Sequence, residues 1–208
     1  MAYSAFTNLE IKNQFGIEQA YQTGLFVSAP PHSASEHLLQ TLAQGVPFAL
    51  MQGSEKARSE FIIAPVMFEL WRQASGQISI FSGADFTVAP EQGLNGICDF
   101  VISRSPYQAD IEAPVVVVVA VEAKQEDFRK GITQCIAEMI AARLFNERQS
   151  KPLGEIFGCV TTGDVWRFLV LRGQQALIEN TTFDIREDLD RILGILLAMS
   201  TGQIAPKS

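Results

Sequence analysis

Residues 114–124 read PVVVVVAVEAK. Val115 to Val119 are consecutive β-branched residues, which favour an extended backbone. A strand that is apolar on both faces is covered on both faces, so the run predicts a central strand between layers of helix. It ends in Glu122 and Lys124. Side chains alternate along a strand, so an extended chain sends both of these to one side. An acid and an amine at the end of a buried strand are costly there unless they are paired or hold a metal ion.

Working outward, residues 96–104 read GICDFVISR. This is a second apolar strand, interrupted by Asp99, a poor strand former that is expensive to bury. Asp99 precedes Glu122 by 23 residues, room for one polar loop and the return of an antiparallel neighbour. If the two strands pair, the carboxyls of Asp99 and Glu122 converge. Two carboxylates at close range repel unless a cation joins them, and oxygen ligands of this kind suit Mg²⁺. A buried carboxylate satisfied by backbone donors is the structural alternative for Asp99. A solvated ion pair is the alternative for Glu122 and Lys124.

The flanking segments read as alternating helices and strands. Ala2–Phe15 and a segment from the Ser35 cap to about Gln44, stopped by Gly45 and Pro47, predict N-terminal helices that cover one sheet face. Ser54–Ala74 predicts a helix with a kink at Pro65. Gln77–Ser82 and Ala84–Ala89 predict a strand bulged at Gly83. Phe128–Glu147 carries Ile132, Cys135, Ile136, Met139, Ile140 and Leu144 on one side of a long helix. Glu155–Thr161 predicts a strand, and Gly163-Asp164 a hairpin turn into Val165–Leu171. Ala176–Glu179 predicts a short strand, and Asp184–Ser200 a final amphipathic helix. The order predicts one α/β domain over residues 1–208, with a core at about 54–172.

Composition narrows the function classes. The chain has 208 residues, of which 47% are hydrophobic and 19% charged, enough apolar side chain for a packed core. Its longest apolar run is strand-length and far short of a membrane span. The opening MAYSAFTNLEIKNQ lacks the basic head and apolar centre of a secretory signal. The expectation is a cytoplasmic protein with no membrane partner. Three cysteines and two histidines, with no CxxC spacing, indicate neither a zinc site nor a disulfide framework. A net charge of −7 opposes tight nonspecific binding to nucleic acid.

An acid inside one strand and Glu-X-Lys at the end of the next resembles the signature of the PD-(D/E)XK nuclease superfamily. Here it is carried by Asp99 in NGICDFV and Glu122-Ala123-Lys124 in VEAK. Cys98 stands before Asp99 where many members have proline. The resemblance covers roughly half of the chain. It implies a restriction endonuclease-like α-β-β-β-α-β core with a mixed sheet flanked by helices, extended here by N-terminal helices and a C-terminal hairpin and helix. It also implies a helix glutamate before the strands, for which Glu60 is preferred over Glu55, and a glutamine on the following helix, Gln134.

The implied activity is Mg²⁺-dependent hydrolysis of phosphodiester bonds, most naturally in DNA, with Mn²⁺ as a substitute ion. Asp99, Glu122 and the backbone carbonyl of Ala123 would hold the metal. Lys124 would orient the attacking water or stabilise developing charge. Glu60 would orient a metal-bound water or help hold a second ion. Gln134 would position a phosphate or support Lys124. A homodimer or a protein partner would supply the basic surface that the chain's own charge does not. A non-catalytic binding or regulatory module on the same fold is the alternative.

Overall fold

A computed structural model describes residues 2–105, 109–121 and 125–203. A 3₁₀ turn at Tyr3–Ala5 leads into helix α1, Asn8–Phe15, whose Thr7 and Glu10 form a reciprocal capping box. Strand β1 follows at Glu18–Gln22, then helix α2 at Glu36–Gln52. A short helix α3, Glu55–Arg58, continues through a π-type turn, Ser59–Ile63, into helix α4, Ala64–Gln73. Three strands come next: β2 Ser79–Asp85, β3 Ile97–Ser103 and β4 Pro114–Ala120. Helix α5 spans Gln125–Arg148. Strands β5 Glu155–Thr161, β6 Val165–Arg172, β7 Gln175–Glu179 and β8 Phe183–Asp184 precede helix α6, Leu189–Thr201.

The expected end of α2 is corrected by the structure. The helix runs past both Gly45 and Pro47 and stops only at Gly53, which takes the left-handed terminus. Leu38, Leu42, Val46 and Ala49 keep one face of the whole helix buried, and that burial outweighs the hydrogen bond lost at Pro47. Gly45 is a contact residue instead of a stop: a Cβ there would lie 2.4 Å from the carbonyl oxygen of Phe61. That carbonyl is the one Pro65 cannot meet in the i→i−4 pattern. The wider π-type turn takes up the irregularity expected as a kink.

The strands form one mixed sheet of eight in the order β1-β7-β6-β5-β4-β3-β2, with β8 beside β6. Neighbours β2–β3–β4 are antiparallel, β4 and β5 are parallel, and β5–β6–β7 are antiparallel. Parallel β1 forms the far edge on β7. The valine run therefore lies inside the sheet, and every residue of β4 is buried. Each buried valine contributes about 1.5–3 kcal/mol relative to exposure. Strand β2 passes through Gly83 with no shift of register against β3, so no bulge forms there. Beyond Asp85 the pairing continues loosely, with the Phe86 and Val88 N–H groups donating to the carbonyls of Gly96 and Leu94, up to a turn closed by the Ala89–Leu94 bridge.

Val116, Val118 and Ala120 pack toward α2, α4 and α6, while Val117, Val119 and Val121 pack toward α1 and α5. Helix α5 carries the chain back from the end of β4 to the start of β5, as a parallel pair requires. Asn146 near its C-terminus donates to the carbonyl of Pro114 at 2.8 Å. Gly131 near its N-terminus lies so close to the sheet that a Cβ would stand 2.5 Å from Val121 and 2.9 Å from Val160. The helix is thereby fixed over both ends of β4.

Candidate functional site

Strands β3 and β4 pair through Ile102–Val116, Val101–Val117 and Phe100–Val118. Beyond Phe100, β3 stays with β2 through the pairs Cys98–Ala84 and Ile97–Asp85. Beyond Val118, β4 stays with β5 through Ala120–Thr161, and Val121 N–H donates to the Thr161 carbonyl at 2.9 Å. The sheet forks between β3 and β4. The N–H of Ala120 on the open side would have no ladder partner, and Oδ2 of Asp99 accepts it at 2.9 Å. An aspartate interrupts the apolar strand because a carboxylate can reach across the fork where a backbone carbonyl no longer does.

Asp99 is half-buried, and burial pushes its carboxyl above the usual aspartate range against the opposing pull of the Ala120 N–H. Among the described residues only Oδ2 is hydrogen-bonded. Glu122, Ala123 and Lys124 lie outside the described residues. Ala120 stands two positions before Glu122 in the chain, so the Asp99 carboxyl is held at the approach to the Glu-X-Lys segment.

Helix α5 adds a group that the sequence reading passed over. Glu138 is fully buried, and burial pushes its carboxyl up to about 8. Its Oε1 accepts from Nε2 of half-buried Gln134 at 3.0 Å, while its Oε2 is buried without a partner of ordinary geometry. The thiol of Cys98 bears on this carboxyl, and the charge of Asp99 raises its proton affinity further. Tyr3 closes the far side, its hydroxyl donating to the Phe86 carbonyl. Gln134 thus bonds the same carboxyl that the charge of Asp99 influences. The signal in the sequence was periodicity, because Glu138 falls between buried Cys135 and Ala141–Ala142 on the stripe that faces the sheet.

The first-helix residues are distributed differently. Glu60 is exposed, pairs with Lys56 at 3.0 Å, and lines a groove against α2 with Phe48, Phe61 and Pro65. Glu55 opens α3 at an exposed position. Arg58 is buried. Its Nη1 donates to the Thr162 carbonyl at 2.9 Å and to Asp164 at 2.7 Å, which joins α3 to the β5–β6 turn. Arg129 and Lys130 are exposed on the first turns of α5. Trp166 is a core residue whose indole N–H donates to the Gly163 carbonyl.

Among the described residues no three His, Cys, Asp or Glu side chains stand together as a metal-binding group. The expected ligand set draws two of its three members from Glu122 and Ala123, outside that range. Among the described residues no helix is long and apolar enough to cross a membrane. No protein-family model matches the chain, and no curated protein matches it.

Proposed function

We propose that the chain is a Mg²⁺-dependent nuclease whose site is the fork between β3 and β4, acting on DNA. The observation that carries this reading is the Asp99 carboxyl fixed on the Ala120 N–H, two residues ahead of Glu122. The element order supports the resemblance to the PD-(D/E)XK superfamily. A helix precedes three antiparallel strands, and a long helix returns the chain to a strand parallel to the third.

Asp99 fits a hard cation. Among the described residues its Oδ1 accepts no hydrogen bond, and a cation would neutralise a carboxylate that burial otherwise drives toward protonation. Asp99, Glu122 and the Ala123 carbonyl would hold Mg²⁺, which when bound polarises a phosphate and acidifies a water. Lys124 would orient that water or meet the charge that develops on the phosphate. Gln134, anchored on α5 beside the fork, would contact the phosphate or Lys124. Glu60 enters as a carboxylate on the helical segment before the strands, and its pair with Lys56 must open to free it. A second copy or a basic partner would complete the nucleic-acid surface of a chain with net charge −7.

A second reading has its own observation. The hydrogen bond that fixes Asp99 also satisfies a backbone N–H at a strand end, which is what a non-catalytic module on this fold requires of it. Plasmid nicking in Mg²⁺ or Mn²⁺ separates the two. The nuclease reading expects nicking by the parent and none by Lys124→Ala at unchanged melting temperature. A Lys124→Ala protein that cuts at the parental rate overturns the assignment, and a parent that binds metal without cutting any nucleic acid favours the module.

A further inference from the structure

We propose that Glu138 is a positioning residue that sets the side-chain conformation of Gln134 at the β3–β4 fork, a role that rests on the nuclease reading above. Gln134 lies one helical turn beyond Gly131, the point of closest approach between α5 and the end of β4. A glutamine there has three free torsions, and holding it in one rotamer costs on the order of 1.5–2 kcal/mol. Glu138, a further turn along the same face, supplies the holding contact through Oε1 and Nε2 at 3.0 Å. With its amide nitrogen engaged, Gln134 keeps its amide oxygen for a donor on the fork side, such as an ammonium or a water.

Stability does not explain Glu138. The carboxyl is fully buried, and its second oxygen has no hydrogen-bond partner of ordinary geometry. The Cys98 thiol, a weak donor, is the one other group that bears on the carboxyl, and apolar residues of similar size commonly replace such poorly satisfied buried groups without loss of stability. The carboxyl's one hydrogen bond of good geometry goes to the half-buried side chain of Gln134, and Glu138 is placed for that side chain. Its neighbours fit the same role. The Cys98 thiol on β3 bears on the carboxyl, and Tyr3 and Cys135 are near enough to interact with it electrostatically.

The test uses the full chain with Glu138→Leu, Glu138→Gln, Gln134→Ala and the double variant Gln134→Ala/Glu138→Leu. The Gln134 side-chain amide is followed by ¹⁵N NMR in protein free of metal and nucleic acid. The expected result is a dispersed, exchange-protected amide pair in the parent, averaged to free-glutamine shifts in Glu138→Leu and restored in Glu138→Gln. Glu138→Leu should melt at or above the parental temperature. In Mg²⁺-dependent cleavage, kcat should fall roughly tenfold to a hundredfold in Glu138→Leu with KM little changed. The double variant should be no slower than Gln134→Ala.

An unchanged Gln134 amide signature in Glu138→Leu overturns the proposal, as do losses that multiply in the double variant. Should Glu138→Leu fail to fold, Glu138→Ala carries the same amide measurement. The amide result is read without substrate, so it stands or falls separately from whether the parent cleaves nucleic acid.

Discussion

Oδ2 of Asp99 accepts the backbone N–H of Ala120 at 2.9 Å, at the point where β3 and β4 part. This bond separates the structural from the chemical role of the residue. Asn at position 99 keeps an acceptor for Ala120 but loses the charge. Asp99→Asn should therefore melt close to the parent while its calorimetric affinity for Mg²⁺ or Mn²⁺ collapses. Asp99→Leu orphans the Ala120 N–H as well, and should cost a further ~1–3 kcal/mol in chemical denaturation. Equal metal binding by Asp99→Asn and the parent would remove Asp99 from any cation site.

Gly131 sets the distance between α5 and the sheet. An added methyl would stand 2.5 Å from Val121 Cγ1 and 2.9 Å from Val160 Cγ1, both on stiff β-branched side chains. Gly131→Ala should destabilise the protein by about 1–3 kcal/mol through overpacking, less the ~1 kcal/mol gained in helix propensity. It should also displace the start of α5 from the end of β4 and so weaken metal binding. A Gly131→Ala protein at least as stable as the parent would show that the helix shifts freely at this point.

Glu138 gives the protein a pH signature. Its folded carboxyl is raised by burial to about 8, so the folded state holds a proton that the unfolded chain releases at ordinary glutamate values. Between those two values the native state binds more protons than the unfolded state, and stability must fall as pH rises. Asp99 acts in the same direction from its own lower starting value. Denaturation midpoints should decline from about pH 5 to pH 8, and Glu138→Gln should flatten that decline. An equal slope in Glu138→Gln would assign the pH dependence to other groups.

Glu60 is tested by its exposure. Its pair with Lys56 is solvated on both sides, so Glu60→Ala should change stability by no more than about 0.5–1 kcal/mol. Any loss of Mg²⁺-dependent cleavage in that variant then reports on the chemistry and not on the fold. The expected outcome is slower cleavage at a parental melting temperature. Parental cleavage by Glu60→Ala would take this side chain out of the site.

The valine run announced a central strand because β-branched apolar residues on both faces have few other places to go, and β4 is that strand. The Gly163-Asp164 hairpin and the buried stripe of α5 were legible for the same reason, since local pattern and burial agree there. The polar edge strand β1, with sequence EQAYQ, and the two-residue β8 carry no such pattern. The extension of α2 through Gly45 and Pro47 was hidden because both residues read locally as stops, whereas a packed partner across the helix decides the outcome. In the site, the odd aspartate in an apolar strand pointed to the fork. Glu138 and Arg58 were missed because charged helix residues are usually solvated, and only the tertiary contacts with Gln134, Thr162 and Asp164 bring them inside.

Cys98, Cys135 and Cys159 are all fully buried, and burial raises each thiol well above its ordinary range. Alkylating reagents attack the thiolate, so the native protein should resist them until the helices on either face of the sheet come away from it. The chain thus carries three internal clocks: Cys98 at the fork, Cys135 on the inner face of α5, and Cys159 on the opposite face of the sheet. The order in which they become labelled would show whether the fork opens before the rest of the molecule.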